Sequence, residues 1–286
     1  MLAMHSSRAT RASLALLAVG LTGMVATAAL GASGGDRSPI EPARSPKPAA
    51  AVATQRLGHD QAAQASSPAS PAPEASEPPA VRLPACRYRD QATRFGQPRY
   101  WKKTLLDTNL RLARTYQPWD LVSVSRAGLR GSGLVRQKVI ADLTALASAA
   151  RAAGKPLAVR SAFRSYQTQV ATFASWVARS GYEQALKFSA RPGHSEHQLG
   201  TTMDFTTAPG VPLSTDFGAS PAGRWLAANS WRYGFIMSYP RGMRRVSCYG
   251  YEPWHFRYVG RELAALIHES GQVPRRYLWE HFESVP

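Results

Sequence analysis

Cysteine is nearly missing from this chain: Cys86 and Cys248 are the two among 286 residues. Their spacing offers no cysteine metal site. No His-Glu-x-x-His occurs, which excludes the helical metalloprotease ligand arrangement. No nucleic-acid-binding motif and no internal repeat occurs either. Acidic residues are scarce, 18 against 35 Lys and Arg, for a formal net charge of +17. A chain this basic suits an anionic wall polymer, a membrane surface or nucleic acid, and the missing motif argues against the last. Apart from Lys102-Lys103, Arg244-Arg245 and Arg275-Arg276, the basic residues are spread along the chain. A spread charge also arises from composition bias and the demands of solubility.

Long apolar runs are missing too, apart from Leu14 to Leu30, which carries no charge. Arg8 and Arg11 precede it, and Ala26-Thr27-Ala28 fits a small-x-small cleavage site, so residues 1–32 read as a signal peptide. The run is at the short end for a membrane span, and an uncleaved N-terminal anchor is the alternative. No cysteine follows, which argues against a lipoprotein. Either way the rest of the chain is expected outside the cytoplasm, in the periplasm, the cell envelope or the extracellular space. Residues 33–81 are rich in Ala, Pro and Ser and nearly lack aromatics and large aliphatics. Such a segment cannot bury enough apolar surface to fold and reads as a disordered linker or tether. Residues 82–286, with 29 Lys and Arg against 13 Asp and Glu, are enough for one domain with its own core. Cys86 opens that domain and Cys248 lies four residues before Glu252. In an exported protein the two can pair.

Val135, Val139, Ile140, Leu143, Leu146, Ala147 and Ala150 share one helical face, and Gly154 can close that helix. Leu157, Val159, Ser161 and Phe163 alternate as a strand. Ser165 can cap a helix that ends at Gly181. Met203–Thr206 and Phe235–Met237 read as strands, with a helix opening at Ser220-Pro221 between them. His255 to Val259 reads as a last strand, and a helix over Gly260–Ser270 is closed by Gly271. Strands and helices mix without regular βαβ alternation. The expected class is α+β, with a mainly antiparallel sheet and helices packed on it.

His197 and Asp204 are separated by six residues, and Glu252-Pro253-Trp254-His255 follows 48 residues after Asp204. Two histidines and a carboxylate are the three ligands a catalytic zinc uses while keeping a position for water. Glu252 can take a proton from that water. Each pair alone is weak at this composition. Together, with Ser195, Gly200, Pro253 and Trp254 around them, they point to a zinc hydrolase. Pro192-Gly193 favours a turn before His194, so His194 and His197 do not read as a helical ligand pair. His197 is expected in a loop, with Asp204 and His255 on two strands.

These residues resemble the zinc D-alanyl-D-alanine carboxypeptidases and dipeptidases of the VanY/VanX type, the peptidase M15 group. The shared pattern is Ser195, His197, Asp204, Glu252 and His255, with a second block from Ser161 to Gln169. The phrase Arg191-Pro192-Gly193-His194-Ser195-Glu196-His197-Gln198 matches the carboxypeptidase branch. The resemblance covers roughly residues 121–260 and implies a hedgehog/DD-peptidase-like zinc site. It implies His197, Asp204 and His255 as Zn2+ ligands, Glu252 as catalytic base, and Arg164 as the group that stabilises the oxyanion or holds the substrate's terminal carboxylate. It implies Ser195 and Gln169 as substrate-binding, and peptidoglycan stem peptides as substrate. Two departures stand out: Ala162-Phe163 replaces the usual Gly-Tyr, and Thr201-Thr202-Met203 replaces the usual Leu-Ala-Leu/Ile run. The expected activity is removal of a C-terminal D-alanine. An L,D-carboxypeptidase, a dipeptidase, an endopeptidase and a non-catalytic wall-binding zinc domain stay open.

Overall fold

Residues 158–161, 202–206, 235–237 and 255–258 are the strands on which the site is built. In this computed structural model they share one five-stranded sheet. The structure describes residues 82–285, so the leader expected over 1–32 and the linker expected over 33–81 lie outside it. The order begins with β1 (Gln91–Ala92), β2 (Leu110–Arg111), β3 (Leu121–Ser123), β4 (Arg130–Gly131) and β5 (Leu134–Arg136). Then come α1 (Ile140–Ala152), β6 (Ala158–Ser161), α2 (Tyr166–Ser180), α3 (Tyr182–Phe188) and β7 (Thr202–Thr206). The remainder is α4 (Pro221–Asn229), β8 (Phe235–Met237), α5 (Arg244–Ser247), β9 (His255–Tyr258), α6 (Arg261–Ser270) and α7 (Pro274–Leu278).

The main sheet runs β4-β6-β7-β9-β8. Its β6–β7, β7–β9 and β8–β9 ladders are antiparallel, while β4 lies parallel to β6. The small β1–β2 sheet is parallel and the β3–β5 sheet antiparallel. The sheets are therefore mixed, which corrects the mainly antiparallel expectation. The chain between β4 and β6 runs through β5 and α1, and a crossover of that length permits parallel pairing. The first helix also starts later than the apolar face suggested. Val135 belongs to β5, and α1 begins at Ile140.

Caps explain several boundaries. The Ser165 hydroxyl accepts from the Thr168 N–H at the start of α2, and Ser220 does the same for Gly223 at the start of α4. Such caps typically contribute about 1 kcal/mol each. Gly271 ends α6 in a left-handed conformation, φ 65°.

Strand alternation divides the sheet into two faces. Met203 and Phe205 of β7, with Phe256 and Tyr258 of β9, join Leu143, Leu146 and Ala147 of α1 and Leu226 of α4 in the main core. Each fully buried Leu, Met or Phe among them contributes roughly 1.5–3 kcal/mol. The residues between them, Asp204 on β7 and His255 and Arg257 on β9, take the opposite face. All three are polar and buried, so this face needs internal partners. Cys86 and Cys248 form a disulfide, with Cα atoms 5.3 Å apart.

Candidate active site

Asp204 and His255 face each other because β7 and β9 pair in that register. Ser161 of β6 is also registered against Asp204, next to a β-bulge between Val159 and Ser161. His197 arrives on a 3-10 turn, Glu196–Leu199, rather than the plain loop expected. Gly200 ends that turn at φ 72°. A Cβ there would lie 3.0 Å from Leu121 and 3.1 Å from Arg136, so glycine alone lets the chain turn from His197 into β7.

The result is a buried cluster. His197, Asp204 and His255 each offer one ligand atom, and these atoms lie within 4.8 Å of one another. His197 Nε2 is 3.2 Å from Asp204 Oδ2, and His255 Nδ1 is 3.2 Å from Asp204 Oδ1. The remaining ring nitrogens face acceptors. His197 Nδ1 donates to the Ala162 carbonyl at 2.7 Å, and His255 Nε2 donates to Glu196 Oε2 at 3.0 Å. Those partners leave His197 Nε2 and His255 Nδ1 facing the Asp204 carboxylate. Three ligand atoms converge on one point, an arrangement that a bound cation completes. The two imidazoles and one carboxylate are a donor set that fits zinc.

The electrostatics show the same demand for positive charge. Burial raises Asp204, but His197 and His255 overcome it and hold its carboxyl well below the usual range. Burial lowers His255, but Asp204 and Glu196 push it up to about 10.

Glu252 approaches from the loop before β9, its carboxylate 3.5 Å from His255 Nδ1. Burial, reinforced by the charges of Asp204 and Glu196 and opposed by His255 and Arg164, raises it to about 7. Its side chain remains 28% exposed, so it reaches both the cluster and the cleft. Arg164 lies between β6 and α2, where its N–H donates to the His197 carbonyl at 3.2 Å. Its guanidinium donates to Gln169 Oε1 at 2.8 Å and Ser161 Oγ at 3.2 Å.

These groups line a cleft of about 650 Å³ that also includes Ser195. Ser195 precedes the 3-10 turn without capping it through its side chain. Gln169 does not line the cleft. It is buried behind Arg164, and its amide donates to Ala190 O at 2.6 Å and Ser189 Oγ at 3.2 Å. With both ends engaged, Gln169 orients Arg164 instead of presenting a donor to the cleft. The outer wall holds Trp176 stacked on Phe188, their centroids 5.5 Å apart.

Glu196, Ser238 and Arg257 were not anticipated. Arg257 was nevertheless detectable, because it lies two residues after His255 on a strand and so shares its face. A buried arginine requires a buried acceptor, and Glu196 supplies it at 3.0 Å.

The sequence profile of the VanY family, described as D-alanyl-D-alanine carboxypeptidase, matches residues 132–261. The protein YodJ of Bacillus subtilis is 34% identical over 186 residues, spanning 63% of this chain and 67% of YodJ. The solved structure of the LD-carboxypeptidase LdcB superposes with a TM-score of 0.60 at 28% identity, covering 68% of this chain and 98% of LdcB. A structure of the vancomycin-resistance D,D-pentapeptidase VanY in complex with Zn(II) superposes at 0.54 and 29% identity, covering 62% of this chain and 99% of the other. The matched residues 132–261 contain Arg164, His197, Asp204, Glu252 and His255 together. This chain belongs to the VanY family of M15 peptidases.

Proposed function

We propose that this protein is a zinc carboxypeptidase that removes the C-terminal D-alanine from peptidoglycan stem peptides. One observation carries the reading: the converging ligand atoms of His197, Asp204 and His255 share a cleft with Glu252 and Arg164. The family description and the zinc named for VanY support it.

His197, Asp204 and His255 would hold the zinc, and the bound ion would supply Lewis-acid chemistry at a water and at the scissile carbonyl. Glu252, raised to about 7, takes the water's proton and returns it to the leaving amine. Arg164 is permanently charged and presents a planar fork of donors to the terminal carboxylate or the developing oxyanion. Gln169 holds that fork in place. Ser195, on the cleft wall, provides a hydroxyl for the same carboxylate.

The basic leader and apolar run of residues 1–32 support export, with the segment over 33–81 as a tether to the wall. The net charge of +17 supports binding to anionic wall polymers. An L,D-carboxypeptidase acting on tetrapeptides is the second reading, favoured by the likeness to LdcB.

Mass spectrometry of D-alanine release from matched stem peptides ending in a free acid or an amide tests the function. A guanidinium–carboxylate pair in a partly desolvated site is worth about 3 kcal/mol. The amide should therefore be cleaved on the order of 10²-fold less efficiently, and Arg164→Ala should erase most of that discrimination. Equal cleavage of acid and amide by the wild-type protein would replace the carboxypeptidase with an endopeptidase. The same assay on tetra- and pentapeptides separates the L,D from the D,D reading.

A further inference from the structure

Two glutamates flank His255, and they address different ring nitrogens. Glu252 sits on the cleft side at Nδ1, while Glu196 sits behind the ring at Nε2. Glu196 is buried and absent from the cleft wall, so substrate cannot reach it. We propose that Glu196 is a positioning residue of the metal centre: it fixes the tautomer and ring plane of His255, so that Nδ1 rather than Nε2 is the ligating nitrogen. The inference rests on the zinc reading above and adds a residue to it.

The carboxylate is itself immobilised. Its Oε2 accepts from the Ser238 hydroxyl at 2.6 Å and from His255 Nε2 at 3.0 Å, and its Oε1 accepts from Arg257 at 3.0 Å. Arg257 is in turn tied to the carbonyls of Trp101 at 2.8 Å and Thr104 at 2.7 Å. Two donors from separate elements, Ser238 and Arg257, thus hold the Glu196 carboxylate against the His255 N–H. The two histidines are oriented by different means. His197 is fixed by the backbone carbonyl of Ala162, which no side-chain substitution removes, whereas His255 depends on the Glu196 side chain.

A role confined to the ion pair with Arg257 makes a different prediction. A buried pair of this kind adds little net stability, and its loss would alter folding without selecting a ring nitrogen. The test uses the full zinc-loaded chain and measures zinc affinity by competition with a chromophoric chelator. Nitrogen-15 NMR of the histidine rings and thermal melting accompany it. E196A should weaken zinc roughly 10- to 100-fold, the usual range for an outer partner of a metal-bound histidine. It should also release His255 from its single tautomer. E196Q keeps an acceptor oxygen and should fall between E196A and wild type in both readouts. E196Q carries the test alone should E196A not fold. Zinc affinity and tautomer in E196Q identical to wild type would overturn the proposal. So would a lowered melting temperature at unchanged zinc affinity, which assigns Glu196 to the ion pair. Failure of the wild-type protein to bind zinc would instead overturn the metal reading.

Discussion

The two walls of the cleft are built by different means. On the sheet wall, Asp204 and His255 are direct partners in the β7–β9 ladder, and His197 is pinned to the Ala162 carbonyl. Their spacing follows from strand register, which cannot slip by one residue without moving every side chain to the other face. On the loop wall, residues 238–254 join β8 to β9 and carry Tyr239, Tyr249 and Glu252. Glu252 is placed by its N–H donating to the Tyr239 carbonyl and by its own carbonyl accepting from the His255 N–H, both at 3.1 Å. The Tyr239 ring lies 4.6 Å from that of His255. The far end of the loop is tied by Cys248 to Cys86. On the proposed function, holding the metal and performing the proton transfer are therefore separable, one set by ladder register and the other by a tethered loop.

The largest effect breaks the sheet wall. His197→Ala and His255→Ala should each lose zinc outright, where elemental analysis of the wild type should find about one zinc per chain. Full zinc retention in both variants would dissolve the ligand assignment. The next effect separates the walls. Glu252→Ala should keep zinc and melting temperature while turnover falls roughly 10²- to 10⁴-fold, the range of general acid–base catalysis. Steady-state release of D-alanine measures it. Activity within a few-fold of wild type would place the proton transfer on another group.

The sheet wall was the more legible in sequence. The spacing of His197, Asp204 and His255 singled out the proposed ligands, the alternation around Asp204 and His255 placed those two on strands, and the caps at Ser165 and Ser220 located two helices. Strands β1 to β5 were harder to see because they are only two or three residues long, too short to show a period of two. The parallel β4–β6 pairing was hidden as well, since pairing direction is set by the crossover between strands and not by their residues. Glu196 was hidden by its position inside the ligand motif, where a charged neighbour of His197 reads as solvent-facing. Its role depends on β9 bringing Arg257 and His255 to it from about 60 residues away. Gln169 was placed at the substrate by resemblance. The packing of α2 turned its amide toward Ala190 and its oxygen toward Arg164.

The smallest effect on chemistry comes from untying the loop wall. Cys248 is a non-glycine residue at positive φ, 71°, a conformation that L residues adopt uncommonly. It stands four residues before Glu252, and its bridge closes a segment of sequence separation 162. The chain-entropy model gives such a long loop about 5 kcal/mol of stabilisation, and measured values for native disulfides span roughly 2–5 kcal/mol. The Cys86→Ser, Cys248→Ser double variant should lose that amount in denaturant unfolding of the zinc-loaded protein. Zinc stoichiometry should not change, because none of the three ligands belongs to the tethered loop. Turnover should fall only a few-fold, since the hydrogen bonds of Glu252 to Tyr239 and His255 survive. Zinc loss in this variant would mean that the loop supports the ligands as well as the base, and the division between the two walls would fail. Unchanged stability together with unchanged turnover would show that the hydrogen bonds alone hold the loop wall, leaving the bridge without a part in placing Glu252.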